Sequence, residues 1–311
     1  MKVLTADLSF AFRMMRKAPF VTAVALLSLA LGIGANATVY AWLRGAVLRP
    51  LGGVADQGRI VVVSTVAQNK QLIEVSYPDY RDFAEGQHQA ELAASRTEPV
   101  SWRGNGAPQR IWAEAATGNF FQVAGVNPAL GRLLQPADDQ EGRPVVAVLG
   151  HAFWRNRLAG DPAIVGKSLR INGLDMQVVG VAAEGFQAAP EGGVSMDLFV
   201  PLKPFQQAMG RGLDDRDTRN LKLMGRLAPG AGVAQAQAAL ASVAAELARK
   251  YPDNDRGMGA RVTPLSEAPW GSQGVLAPAL RVLLVAVALI LLLACANVAS
   301  LLLTRAVGRQ Q

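Results

Sequence analysis

Two long uncharged stretches stand near opposite ends of the 311-residue chain, and they limit its architecture more than any other feature. The 26 positions between Lys17 and Arg44 carry no charge, and neither do the 23 between Arg281 and Arg305. A hydrocarbon layer takes about 20 helical residues to cross, so each stretch is long enough to span one. Half of all residues are apolar and only 18% are charged, an imbalance these two stretches largely account for.

The charge is distributed to match. Residues 1–17 hold Lys2, Arg13, Arg16 and Lys17 against Asp7, and Arg305 and Arg309 follow the second stretch. The intervening segment, 44–281, has 25 basic and 23 acidic residues, so most of the net +7 lies beside the spans. Basic residues flanking short termini place those termini in the cytoplasm. The expected topology is in–out–in, with about 238 residues exported. A nucleic-acid surface would need clustered charge on the folded part, which is nearly balanced, so nucleic acid is excluded as a partner. The lone cysteine, Cys295, falls inside the second span, so the exported part folds without disulfides. Ala35-Asn36-Ala37 also fits a signal-peptidase site. Apolar residues continue past it through Leu43, however, which favours a retained span.

Residues 1–17 read as a cytoplasmic amphipathic helix, with Leu4, Leu8, Ala11, Phe12 and Met15 on one side. The first span, 18–43, carries Gly32, Gly34 and Asn36; the second, 282–304, carries Ala296, Asn297 and Ser300. Small residues let helix backbones approach, and an asparagine in lipid seeks a partner, so these six are the helix-packing candidates. At about 1.5 Å per residue the two asparagines lie at different depths and cannot pair with each other. Each should therefore bond backbone, water or a helix outside this pair, which suggests further permease helices or a second permease copy beside them, together with membrane lipid.

Within 44–281, Arg59–Val66 and Ala90–Arg96 read as strands around a helix at Glu74–Glu85. The same order returns as Asn220–Leu227, Gly232–Lys250 and Gly259–Leu265. The two strand–helix–strand units suggest one split α/β lobe. The stretch between them carries Asn-Gly hairpin signals at Asn105-Gly106 and Asn172-Gly173, and about 117–219 of it reads as an inserted, mostly β lobe. Phe120, Phe121, Trp154 and Phe186 are its expected core anchors. Gly131, Gly166 and Gly180 are expected to serve turn geometry. The charged run Asp214–Arg219 reads as a solvated linker rather than a site. The acids of the loop at Asp138, Asp139 and Glu141 could bind a cation, but solvation suits them better.

Sequence signs of catalysis are missing. There is no P-loop, no His-Glu-x-x-His and no cysteine pair, and the only histidines are His88 and His151. His151 sits beside Phe153 and Trp154, where packing suits it better than catalysis. The chain is not expected to be an enzyme, and no cofactor is expected on it.

Several segments together resemble MacB-like ABC transporter permeases with a periplasmic core domain, particularly the large duplicated group. They include Arg16-Lys17-Ala18-Pro19, Leu29 to Ala37, Leu48-Arg49-Pro50-Leu51, Val75-Ser76-Tyr77-Pro78-Asp79-Tyr80, Gly118-Asn119-Phe120-Phe121, Leu130-Gly131-Arg132 and Gly160-Asp161-Pro162. Ala294 to Ala299 resembles the first helix of an FtsX-like permease domain. The resemblance implies an α+β protein: two transmembrane helices flanking a bilobed extracytoplasmic domain, one lobe porter-like and the other inserted. It also implies a bacterial inner-membrane location and ATP bound on a separate cytoplasmic ABC ATPase subunit. Helix motion would be transmitted to the periplasmic domain for efflux or export. The family continues past the second span into a coupling segment, so residues 305–311 are expected to be a truncated tail. Two rival readings are a two-span scaffold or sensor binding an envelope partner and, less favoured, a membrane-anchored hydrolase.

Overall fold

The computed structural model describes residues 19–43, 53–104, 106–186, 196–268 and 272–307. The amphipathic segment 1–17, Asn105 of the first Asn-Gly pair and the tail beyond Val307 lie outside them. The chain divides into two compact units, one made of 1–48 with 275–311 and the other of 49–274.

The first unit holds two helices, α1 (Pro19–Leu43) and α8 (Ser272–Val307). Neither is amphipathic in the manner of a soluble surface helix. Leu26, Leu27, Leu31, Ile33 and Trp42 of α1 are exposed, as are Val282, Val285, Leu289, Ile290 and Leu293 of α8. Among the described residues one window, Ala279–Ala296, has the length and hydropathy of a membrane span, while the apolar part of α1 is the shorter Leu26–Trp42. The sequence led us to expect two such windows, one on each side of the exported segment.

The second unit is built on one mixed sheet. Its described strands are β1 (Ile60–Val66), β2 (Leu72–Ile73), β3 (Ala90–Trp102), β4 (Gln109–Ala116), β5 (Pro128–Gly131), β6 (Val146–Leu149), β7 (Ser168–Ile171), β8 (Leu174–Ala182), β9 (Leu198–Pro201), β10 (Lys222–Leu227) and β11 (Gly259–Pro264). They run in the order β11-β1-β10-β3-β4-β9-β6-β8-β5, with β2 beside β1 and β7 bridging β3 and β8. Pairing is antiparallel except for β4 with β9 and β6 with β8. The helices are α2 (Tyr77–Glu85), α3 (Phe120–Ala124), α4 (His151–Arg157), α5 (Leu202–Ala208), α6 (Val233–Lys250) and α7 (Pro252–Asp255).

Local sequence explains the main boundaries. Helix α2 begins later than the expected Glu74 because Val75 is bridged to Leu221, and the Ser76 hydroxyl then accepts the Asp79 N–H as an N-cap, with Pro78 in the first turn. Helix α6 buries Ala236, Leu240, Val243, Ala244 and Leu247 along one face and ends on Arg249 and Lys250, which suit the negative end of its dipole. The turn joining β7 to β8 places Asn172 and Gly173 at φ 48° and 84°, the left-handed pair a two-residue hairpin needs.

Strand β3 is the spine of the sheet. Its first half pairs with β10 and its second half pairs with β4 along its whole length, so the lobes read from the sequence share one continuous sheet. Alternate residues of β3 feed two cores. Leu92, Ala94, Val100 and Trp102 join the larger one with Val61, Leu149, Val178, Leu202 and α6; Ala93 joins a smaller one around Phe120, Phe121 and Phe199.

Candidate functional site

The helix pair is a close contact between backbones. Gly32 and Val39 of α1 are buried and Asn36 is half-buried; on α8, Leu280 and Val287 are buried and Leu284, Leu291 and Ala294 are half-buried. Those α8 positions recur at spacings of four and three, a single seam along the helix. A Cβ placed on Gly32 would lie 2.8 Å from Leu291 Cδ1, so the glycine is what admits the neighbouring helix. Asn36 Nδ2 donates to Gly32 O at 2.9 Å in its own helix and to Val287 O at 3.2 Å across the pair. Residue 32 meets 291 and residue 36 meets 287, so the helices are antiparallel.

Of the six packing candidates, the structure brings Gly32 and Asn36 to this contact. Gly34 has nothing within 4 Å of its Cβ position, and Ala296 and Ser300 are on exposed faces. The Asn297 side chain lies outside the described residues. Asn36 finds its partners in backbone carbonyls, one of the alternatives the sequence left open, and one of the two lies on α8 within the pair.

The second unit holds a buried charge cluster that sequence reasoning misassigned. The Asp214–Arg219 run, read as a solvated linker, turns two arginines inward. Arg219 bonds Asp79 and Asp255, and Arg216 bonds Asp79 and reaches Asp82 at 2.7 Å. The side chains of Arg216, Arg219, Asp79 and Asp255 are 12%, 8%, 3% and 4% exposed, so this is an interior network. The Arg216 guanidinium also lies 3.8 Å from the centre of the Tyr251 ring. Burial works against the Arg216 charge, but Asp82 and Asp79 outweigh it and raise its pKa. Burial, and then the charge of Asp79, raise the Asp255 carboxyl. Chemically the cluster is a tether: it ties the segment entering β10 to α2 and α7.

Two acids of the acidic loop are likewise engaged, while Glu141 is exposed. Asp138 makes a bidentate pair with Arg132, at 2.6 and 2.9 Å. Asp139 is buried, accepts the Lys203 backbone N–H at 2.7 Å, and is pushed up to about 6 by burial. Above it, Tyr77, Arg81 and Lys203 form the shared wall of two adjoining hollows of about 590 and 270 Å³. Among the described residues no three His, Cys, Asp or Glu side chains are placed to hold a metal ion.

The aromatic anchors separate. Phe120, Phe121 and Phe186 pack together with Phe199, whose ring centre is 5.0 Å from that of Phe121. Trp154 is not part of that cluster. It is half-buried beside the larger core, stacks edge-on to His151 at 5.4 Å and donates its indole N–H to Asp161 O at 2.9 Å. The cluster's missing member, Phe199, sits in a four-residue strand whose neighbours gave no periodicity to single it out.

The sequence profile of the MacB-like periplasmic core domain matches residues 22–243. Among solved structures, the chain is similar to the periplasmic region of MacB from Actinobacillus actinomycetemcomitans, at 14% identity and a TM-score of 0.52, covering 75% of this chain and 97% of that one. It is also similar to the extracellular domain of the noncanonic ABC-type transporter YknZ from Gram-positive bacteria, at 14% identity and a TM-score of 0.49, covering 65% and 99%. No curated protein sequence matches it. With the profile covering well over half of the chain, the protein belongs to the MacB-like periplasmic core domain family and carries the extracytoplasmic domain of an ABC-type transporter permease.

Proposed function

We propose that this chain is the membrane and periplasmic part of an ABC-type permease that passes ATP-driven movement of its helices to the exported domain, for efflux or an export-related task. The observation that carries the reading is the α1–α8 contact, in which Gly32 admits Leu291 and Asn36 bonds Val287 O. Two apolar helices that lie at opposite ends of the sequence pack on each other, so a change in their packing acts on both ends of the intervening domain at once. On this reading both spans cross the inner membrane, residues 1–17 and 305–311 are cytoplasmic, and 44–281 is periplasmic, with the inserted lobe at about 117–219. ATP is held by a separate cytoplasmic ABC ATPase, and lipid, further permease helices or a second permease copy cover the outward faces. The chain's own part is mechanical.

Coexpression of a C-terminally extended version, with the coupling segment restored, and an ABC ATPase tests this. The reading expects a membrane complex in which thiol labelling of a cysteine introduced in the exported domain changes between ATP and nucleotide-free states. A complex that never forms, or labelling indifferent to nucleotide, would overturn it.

A further inference from the structure

The far end of the sheet presents three arginines on one outward face. Burial alternates cleanly there: Val100 and Trp102 of β3, Ile111 and Ala113 of β4 and Ile171 of β7 are buried, whereas Pro99, Ser101, Arg110 and Arg170 are exposed. Ser101 pairs with Arg110, and Trp102 pairs with Ile171. The next residues along, Arg103 and Arg170, are therefore neighbours on adjacent strands and face the same way, and the Arg103 N–H donates to Arg170 O. Arg110 stands diagonally from them with its guanidinium 4.6 Å from the centre of the half-buried Trp112 ring.

None of these three guanidiniums has a carboxylate within ion-pair distance among the described residues. Asp175 lies directly across from Arg170 in the β7–β8 register yet makes no pair with it. Like charges on adjacent strands repel, so Arg103 and Arg170 destabilise the free sheet unless something anionic sits over them. Elsewhere in the unit, six arginines (Arg81, Arg96, Arg132, Arg211, Arg216 and Arg219) have carboxylate partners, and Arg59 and Arg226 are held by backbone carbonyls.

We propose that this face is a docking surface for an acidic protein segment, whose carboxylates are bound by Arg103, Arg110 and Arg170, with the Trp112 ring beside Arg110. Three observations select that occupant. The cations are all arginine, whose planar fork suits bidentate carboxylate contacts. Arginine and tryptophan are the side chains that most often anchor protein interfaces. Membrane insertion would need exposed apolar side chains, and Val165 alone among the described large apolar residues of 53–268 is exposed.

The test uses the whole chain in phosphatidylcholine nanodiscs, with fluorescein-labelled polyglutamate as the probe and anisotropy as the readout. Saturable binding that weakens with salt is expected, and replacing all three arginines together by glutamate should weaken it about tenfold or more. Circular dichroism checks that the variant is folded, and the corresponding triple glutamine variant serves if it is not. R110K, which keeps the charge but loses the fork and the stacking, should bind more weakly than the parent and better than the triple variant. Equal affinity in parent and triple variant would overturn the proposal. So would binding to phosphatidylglycerol vesicles without binding to polyglutamate, which would identify a headgroup phosphate as the ligand instead.

Discussion

Arg219 and Asp79 are 140 residues apart in the chain and form an ion pair in the interior of the exported domain. The pair joins the strand–helix unit that precedes the insertion to the segment that follows it. A buried pair is expensive to desolvate, but breaking it by removing one partner is worse because the other charge is left stranded.

Arg219→Ala should therefore destabilise the exported domain by about 3–5 kcal/mol, and Asp79→Ala by a similar amount. The double variant should lose much less than the two single losses together, because it leaves fewer uncompensated charges. Urea unfolding of the four species checks this. Additive losses would mean that the two residues act independently.

Asp139 gives a pH dependence. Its carboxyl ordinarily titrates near 3.8 and is raised to about 6 in the folded protein by burial. Between these values the folded state holds more protons than the unfolded state, so stability falls as pH rises from about 4 through about 6. Asp139→Asn should flatten that segment of the stability–pH curve when unfolding is measured at several pH values. A curve of unchanged shape would contradict the assignment.

The aromatic residues should separate by burial. Phe121→Ala removes a 2%-exposed ring from the small core and should cost about 3–5 kcal/mol, whereas Trp154→Ala, at a half-buried site, should cost clearly less. Thermal unfolding of the two variants compares them directly.

Gln237 covers an open sheet edge. Its side-chain amide donates to Ala260 O at 2.9 Å and accepts the Val262 N–H at 2.8 Å, occupying outward backbone groups of the edge strand β11. Gln237→Ala should free those groups for another strand. The expected outcome is greater self-association with concentration, read by analytical ultracentrifugation.

Sequence periodicity located β1, β10, α6 and β11 to within about a residue or two, because each carries its pattern locally. The Asn172-Gly173 hairpin was legible for the same reason. The buried charges were not. Arg216 and Arg219 alternate with Asp214, Asp215 and Asp217, which looks like a solvated run, and their partners lie far away at Asp79, Asp82 and Asp255. Gly180 was partly misread as well. Gly131 and Gly166 have φ of 65° and 90°, as turn glycines should, but Gly180 is a strand residue whose Cβ would lie 2.1 Å from Arg132 O. Close approach of another backbone, rather than a turn, explains it. Small-residue spacing and an asparagine in an apolar span marked Gly32 and Asn36 as candidates, but which residues they meet, Leu291 and Val287, is set by the antiparallel register of the two helices.

The account turns on α1 and α8 being packed antiparallel in the membrane. The Cβ position of Gly32 lies 3.7 Å from Leu291 Cβ, a separation that suits a disulfide. In intact membranes, with the native Cys295 replaced by serine, Gly32→Cys together with Leu291→Cys should cross-link efficiently under mild oxidation. Absence of that cross-link in membrane-inserted protein, with both thiols intact, would contradict the pairing and the transmission of motion built on it.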